Sequence, residues 1–143
     1  MIIHAHFLAS FAEAHGDGMF DVHQGGITTI NGRGWPARAK VFVVSRLEFS
    51  IEEAAGRQEL EIEILHRGRR LLNPLKTPLR VKISDINLPV FVNVIGQLQF
   101  DVPGEGEILI QMRLLGGEYL PPLRLQAVTT PGVQLDPRVW RSG

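Results

Sequence analysis

From residue 59 to residue 127 the chain alternates apolar and polar side chains, and glycine and proline cut the alternation into short runs. Leu60, Ile62 and Ile64 oppose Glu59, Glu61 and Glu63. Leu98, Phe100 and Val102 oppose Gln97, Gln99 and Asp101, and Ile108, Ile110, Met112 and Leu114 oppose Glu107, Gln111 and Arg113. Successive side chains of a strand point to opposite faces, so a period of two predicts strands with one wet face. Helices do not cover the outer faces of such sheets, and two of them must bury their apolar faces against each other. The expected fold is all-β, an antiparallel β-sandwich of about eight or nine strands, Ig-like or jelly-roll-like. Its expected core contains Leu60, Ile62, Ile64, Leu98, Phe100, Ile108, Ile110 and Met112.

The N-terminal half fits the same scheme. Ile3, Ala5, Phe7 and Ala9 alternate with His4, His6 and Ser10 as a first strand, and residues 19–24 read as its hairpin partner. Gly25-Gly26 reads as a kink, with residues 27–30 continuing that second strand. A long strand follows over residues 39–49, and residues 59–66 are its expected partner. Between them Ser50 and Glu53 have the spacing of a capping box, in which each side chain satisfies the other's free backbone N–H, so one helical turn is predicted there. The segment 103–106, Pro-Gly-Glu-Gly, is expected to join two of the best strands as a hairpin. The sandwich domain is thus assigned to residues 1–128, and residues 129–143, with two prolines, two glycines and little alternation, to a tail or arm.

Charge narrows the function classes. Lys plus Arg equals Asp plus Glu at 15 each, so no global field draws the 143-residue chain to nucleic acid or an anionic membrane. Cysteine is absent, which removes disulfides, thiol nucleophiles and thiolate metal sites. The apolar opening of residues 1–12 has no basic flank, carries two histidines and falls short of the ~20 apolar residues of a membrane helix. A cytoplasmic protein is the expectation.

Few residues suggest chemistry. His4 and His6 are two apart, and on a regular strand they share a face, as two imidazole ligands of one metal must. His23 becomes a third ligand only if the second strand pairs with the first. The spacing itself fixes no third ligand, so neither metal nor other cofactor is expected. His15, Asp17 and Asp21 cluster at a Gly/Asp turn, a pattern that solvation explains. Ser10, Ser45, Ser50 and Ser84 lack a nucleophile-elbow context, and no glycine-rich phosphate loop opens a helix. Local charge is more pointed. Arg67, Arg69 and Arg70 begin a basic stretch without an acid, whereas residues 48–63 hold six glutamates. The former is a candidate patch for an anion or acidic partner. Trp35 in a Gly/Pro loop, and Arg138, Val139, Trp140 and Arg141 in the tail, have the aromatic-plus-arginine make-up of interface anchors.

The order of elements resembles an uncharacterised bacterial family of small β-sandwich proteins. The likeness rests on the Gly-marked segment 18–27, the long apolar strand 39–49, the charged strand 60–65 and the closing strands 98–103 and 106–114, and it spans about residues 1–128. It implies a fold and no catalytic residue.

The expected role is a non-enzymatic binding or assembly module acting through self-association or a protein partner. The alternatives are a small metal- or ligand-binding sandwich using His4 and His6, with enzymes included, and a structural component of a phage-like particle. Purified protein is expected to hold no stoichiometric transition metal by elemental analysis. One equivalent of zinc, nickel or iron, lost on mutating His4 and His6, contradicts this.

Overall fold

In a computed structural model the described residues are 1–130, except Asp17, Arg57, Arg80, Lys82, Ser84 and Gly116. Among them are ten strands, packed as two sheets, and one short helix. The first sheet has the order β2 (Phe20–Gly25), β1 (Ile2–Ala14), β4 (Ala37–Phe49), β8 (Val90–Val102). The second runs β3 (Thr29–Gly32), β10 (Leu123–Thr129), β9 (Gly106–Leu114), β5 (Gln58–His66), with β6 (Arg69–Arg70) and β7 (Leu75–Leu79) side by side along the free flank of β5. All pairings are antiparallel save β3 with β10, which is parallel. The sandwich is as expected, with a mixed second sheet.

The inner faces make the core. Leu60, Ile64, Ile108, Ile110, Met112 and Phe100 are each no more than 2 % exposed, and Ile62 and Leu98 are also buried. Every core residue expected from the alternation is in place. Glu61, expected on the wet face, is buried too, under Arg113, which donates to it at 3.3 Å and stacks its guanidinium on the Tyr119 ring.

Strand partners differ from the sequence expectation at three places. Residues 39–49 do not pair with 59–66: β4 lies between β1 and β8, and β5 belongs to the opposite sheet. The capping-box helix α1 (Ile51–Ala55) carries the chain across the gap, with Ser50 Oγ accepting from Glu53 N–H and the Glu53 carboxylate accepting from Ser50 N–H. The Met1 ammonium also donates to Glu53 at 2.9 Å, and this bond holds the carboxyl down at about 2. The turn after β8 is likewise an arch rather than a hairpin, since β8 and β9 lie in different sheets. Residues 27–30 do not continue β2. The chain leaves β2 at Gly25, and β3 joins the other sheet beside β10. Alternation specifies that a segment has a wet and a dry face; arches and hairpins satisfy it equally.

The middle of β4 is covered on both sides, although Arg38 and Lys40 on its outer face stay exposed. Val41, Phe42, Val43 and Val44 are consecutive and all buried, because the outer face carries a second apolar cluster of Ala9, Ala12, Phe42 and Val44 flanked by Phe7, Phe20, Val22 and Ile95. The β1–β2 hairpin supplies that cover, and its turn is tied to β8 by Asn93 Nδ2 donating to Gly18 O at 2.7 Å. Replacing Ile110 by Ala is expected to cost roughly 2–5 kcal/mol in urea denaturation, as for other fully buried large-to-small changes. An unchanged midpoint contradicts the placement of this face in the core.

Candidate functional site

The β5–β6 turn sets the geometry of one end of the sandwich. His66 pairs with Arg69 across a two-residue loop in which Arg67 (φ 51°) and Gly68 (φ 82°) are both left-handed, the arrangement that matches strand twist in a tight hairpin. Gly68 adopts it without strain; for Arg67 it is unfavourable and must be held by contacts. Arg67 N–H donates to Glu107 O at 3.0 Å. Its aliphatic stem lies across Gly106, where an added Cβ would stand 2.9 Å from Arg67 Cγ. Gly106, itself at φ 132°, is therefore needed for both its backbone and its missing side chain.

His66 closes the arch above. Its ring is buried, and Nε2–H donates to Gly104 O at 2.9 Å and Glu105 O at 3.1 Å, fastening the β8–β9 turn to β5. Glu105 accepts from Thr129 N–H at 3.1 Å. Its carboxyl is held below the usual carboxylate range by hydrogen bonds from Thr129, with the Arg67 charge adding to the effect. Trp35 is half-buried on the core, Nε1 donates to Thr129 Oγ1 at 3.0 Å, and its ring covers Gly32, where a Cβ would stand 2.8 Å away.

Two concavities meet at Arg67. One, of about 520 Å³, is bordered by His66, Arg69, Arg70, Leu71 and Pro103; the other, of about 550 Å³, by Trp35, Glu105 and Thr129. Arg70 donates to Glu63 at 2.7 Å, whereas neither Arg67 nor Arg69 makes an ion pair among the described residues. Arg67 borders both concavities, with Trp35 in one and Arg69 in the other, and guanidinium groups so placed suit a carboxylate-bearing chain, which arginine grips bidentately. Trp35 and the Arg67, Arg69, Arg70 patch, separate in sequence, thus share one end. Thr130 N–H donates to Gly32 O at 2.8 Å beside them, so the chain leaves for residue 131 from this end. Arg138, Val139, Trp140 and Arg141 lie outside the described residues. Sequence reasoning missed His66 and Gly106, since a lone histidine at a strand end and a glycine in a turn carry no pattern of their own.

The histidine constellation is not assembled. Between Ile3 and Ala5 the register of β1 with β4 shifts by a β-bulge, so that Ile3 pairs with Leu47 but Ala5 with Arg46. The extra residue reverses the facing of the strand beyond it. His4 lies on the outer face, bonded to Glu48 at 3.0 Å and against the Phe91 ring, whereas His6 turns to the inner face. The two do not share a face, contrary to the expectation from their spacing. His23 packs on Phe11, and among the described residues no group of three His, Asp or Glu is placed to hold a metal ion. His15 bonds Asp21 at 2.8 Å in an exposed turn; Asp17 and Ser84 lie outside the described residues.

His6 instead joins the sheets. A carbonyl only accepts, so Nε2–H donates to Pro121 O at 2.9 Å, and Nδ1 accepts from the Ser45 hydroxyl at 2.7 Å. This is a serine–histidine contact, but Ser45 is 0 % exposed and out of reach of any substrate. No helix among the described residues is long and apolar enough to cross a membrane. Compared with protein-family models and with curated proteins, the chain matches none.

Burial pushes the His6 pKa below its ordinary 6.5, against the opposing pull of the Pro121 bond. Between 6.5 and the lowered folded value the unfolded chain binds the proton and the native state does not, so stability is complete above pH 6.5 and falls as pH drops through that window. Urea unfolding at pH ~7.5 and ~5.5 is expected to show the loss, and His6→Leu is expected to flatten it. The variant also leaves the Ser45 hydroxyl and Pro121 carbonyl unpaired, at roughly 1–3 kcal/mol each if they stay dry.

Proposed function

We propose that this protein is a non-enzymatic binding and assembly module whose basic end captures an acidic protein segment. The observation that carries this reading is the pairing state of the arginines: Arg67 and Arg69 have no carboxylate at ion-pair distance among the described residues, although the Arg67 charge is felt by Glu105, and Arg67 borders both concavities, sharing one with Trp35 and the other with Arg69. A patch that serves only to keep a strand edge soluble needs no aromatic wall and no strained turn. Here Arg67 is kept in a left-handed conformation by contacts from Glu107 and Gly106, which presents its guanidinium with reduced conformational freedom. Arg138, Val139, Trp140 and Arg141 are proposed as further partner-binding residues on their aromatic-plus-arginine composition alone.

A metal- or ligand-binding role through His4 and His6 is disfavoured by their opposite facing, and catalysis at Ser45 by its burial. Binding of a fluorescent polyglutamate peptide tests the proposal. Arg67→Ala with Arg69→Ala is expected to weaken it about tenfold, or about 1.4 kcal/mol. Raising the salt from ~0.05 to ~0.15 M is expected to weaken the native protein too, because exposed ion pairs are screened. Equal affinity of native and variant protein at low salt contradicts the assignment.

A further inference from the structure

The edges of the two sheets are guarded unequally. β2 and β3 are short at 6 and 4 residues, β6 consists of two arginines, and β7 contains Lys76 and Pro78. Short length, charge and proline are devices that keep an edge strand from pairing with another chain. β8 is long and contains no proline. It pairs with β4 along 13 residues in one unbroken register, from Ala37↔Val102 to Phe49↔Val90, and no strand among the described residues pairs with its other edge. Its only charge is Asp101, near the far end. Beside this edge a groove of about 400 Å³ opens between β8 and β7, walled by Ile62, Leu75, Leu79, Val92, Val94 and Leu98.

We propose that β8 is an assembly edge that pairs antiparallel with β8 of a second copy, about a two-fold axis at Gly96. Gly96 is the midpoint of Val90–Val102, so this register engages the whole strand. An axis at a residue keeps like faces together, since each residue then meets one of the same parity. On the inner row Val94 meets the second copy's Leu98, extending the core into the groove. On the outer row Ile95 meets Gln97, and Asn93 meets Gln99. Asn93 Oδ1 is buried without a hydrogen-bond donor, while its Nδ2 is engaged with Gly18 O. Gln99 accepts from Arg38 through Oε1, which leaves its Nε2 hydrogens to donate. Asn93 Oδ1 is covered by its own chain, so Gln99 of the second copy reaches it once the Asn93 side chain turns toward the edge; directly opposed residues on antiparallel strands stand about 4.5–5.5 Å apart at Cβ, within reach of the turned amide. The two Asp101 side chains fall at opposite ends, each across from Phe91, so no like charges oppose each other along the seam. That self-complementarity favours a second copy over a foreign strand.

The absence of cysteine makes the axis directly testable. A Cβ at Gly96 would meet nothing within 4 Å, so Gly96→Cys is sterically free, and on the axis it faces its own counterpart. Gln99→Cys is the control, compared at a concentration at which light scattering of both reduced variants gives two copies, because its counterpart is displaced along the strand by about 20 Å at ~3.3 Å per residue. Light scattering of the native chain is expected to give the mass of two copies, and mild oxidation is expected to cross-link Gly96→Cys at least ~tenfold faster than Gln99→Cys, whose sulfurs that displacement keeps beyond disulfide reach. Gln97→Lys places an ammonium on each side of the axis, and its mass is expected to fall to one copy with the β circular-dichroism spectrum unchanged. A single-copy mass for the native chain at all concentrations overturns the proposal, whether a foreign strand or residues 131–143 take the edge instead. So does a dimer in which Gly96→Cys cross-links no faster than Gln99→Cys, or one that persists in Gln97→Lys.

Discussion

The structure depends on the middle of β4, residues 41–45, being dry on both faces. β4 is the one strand whose neighbours, β1 and β8, are each paired to it over long registers, and its inner residues Val41, Val43, Leu47 and Phe49 anchor the inter-sheet core. Its outer residues Phe42 and Val44 anchor the second cluster under the β1–β2 hairpin. Burial of this kind is roughly additive in apolar area, so a strand that removes both faces from water stabilises its sheet more than a one-sided strand. The edges of the sandwich can then be left to short or charged strands. The exception is β8, which gains its order from β4 and offers its far side unpaired.

The crossings between sheets fix the ends of the molecule. At one end helix α1 turns the chain from β4 to β5, and its cap is shared with the Met1 ammonium through Glu53. At the other the β8–β9 arch is held by His66 below and by Glu105 to Thr129 above. The basic surface is built on that second crossing. Arg67 is placed by a turn whose conformation requires Gly68 and by a stem contact that requires Gly106. This suits the proposed binding role, because a surface on a fastened arch loses little freedom when a partner docks.

Apart from Asn93 Oδ1, buried polar side-chain atoms among the described residues match donors to acceptors. His6 is neutral because burial disfavours its charge, and in that state it pairs with one acceptor, Pro121 O, and one donor, Ser45 Oγ. Glu61 accepts from Arg113, whose own pKa is raised by the hydrogen bond and charge of that carboxylate. These contacts bind one sheet to the other or one strand to the next, and the groups that make them are occupied with each other.

The period-two pattern by itself determined the fold class, the eight core residues named from it and the existence of the capped turn, because facing and capping are local properties read from residues a few positions apart. The local charge distribution exposed the basic character of residues 67–70. Partner strands were decided only by tertiary structure: β4 and β5, or β8 and β9, alternate alike whether they lie in one sheet or in two. The bulge between Ile3 and Ala5 was invisible for the same reason, and a single inserted residue sent His4 and His6 to opposite faces. The meeting of Trp35 with Arg67 follows from an arch and a parallel strand that bring residues 32, 67, 105 and 129 to one end. Such contacts depend on where distant segments are carried, and that is set by packing of the whole chain rather than by any stretch of it.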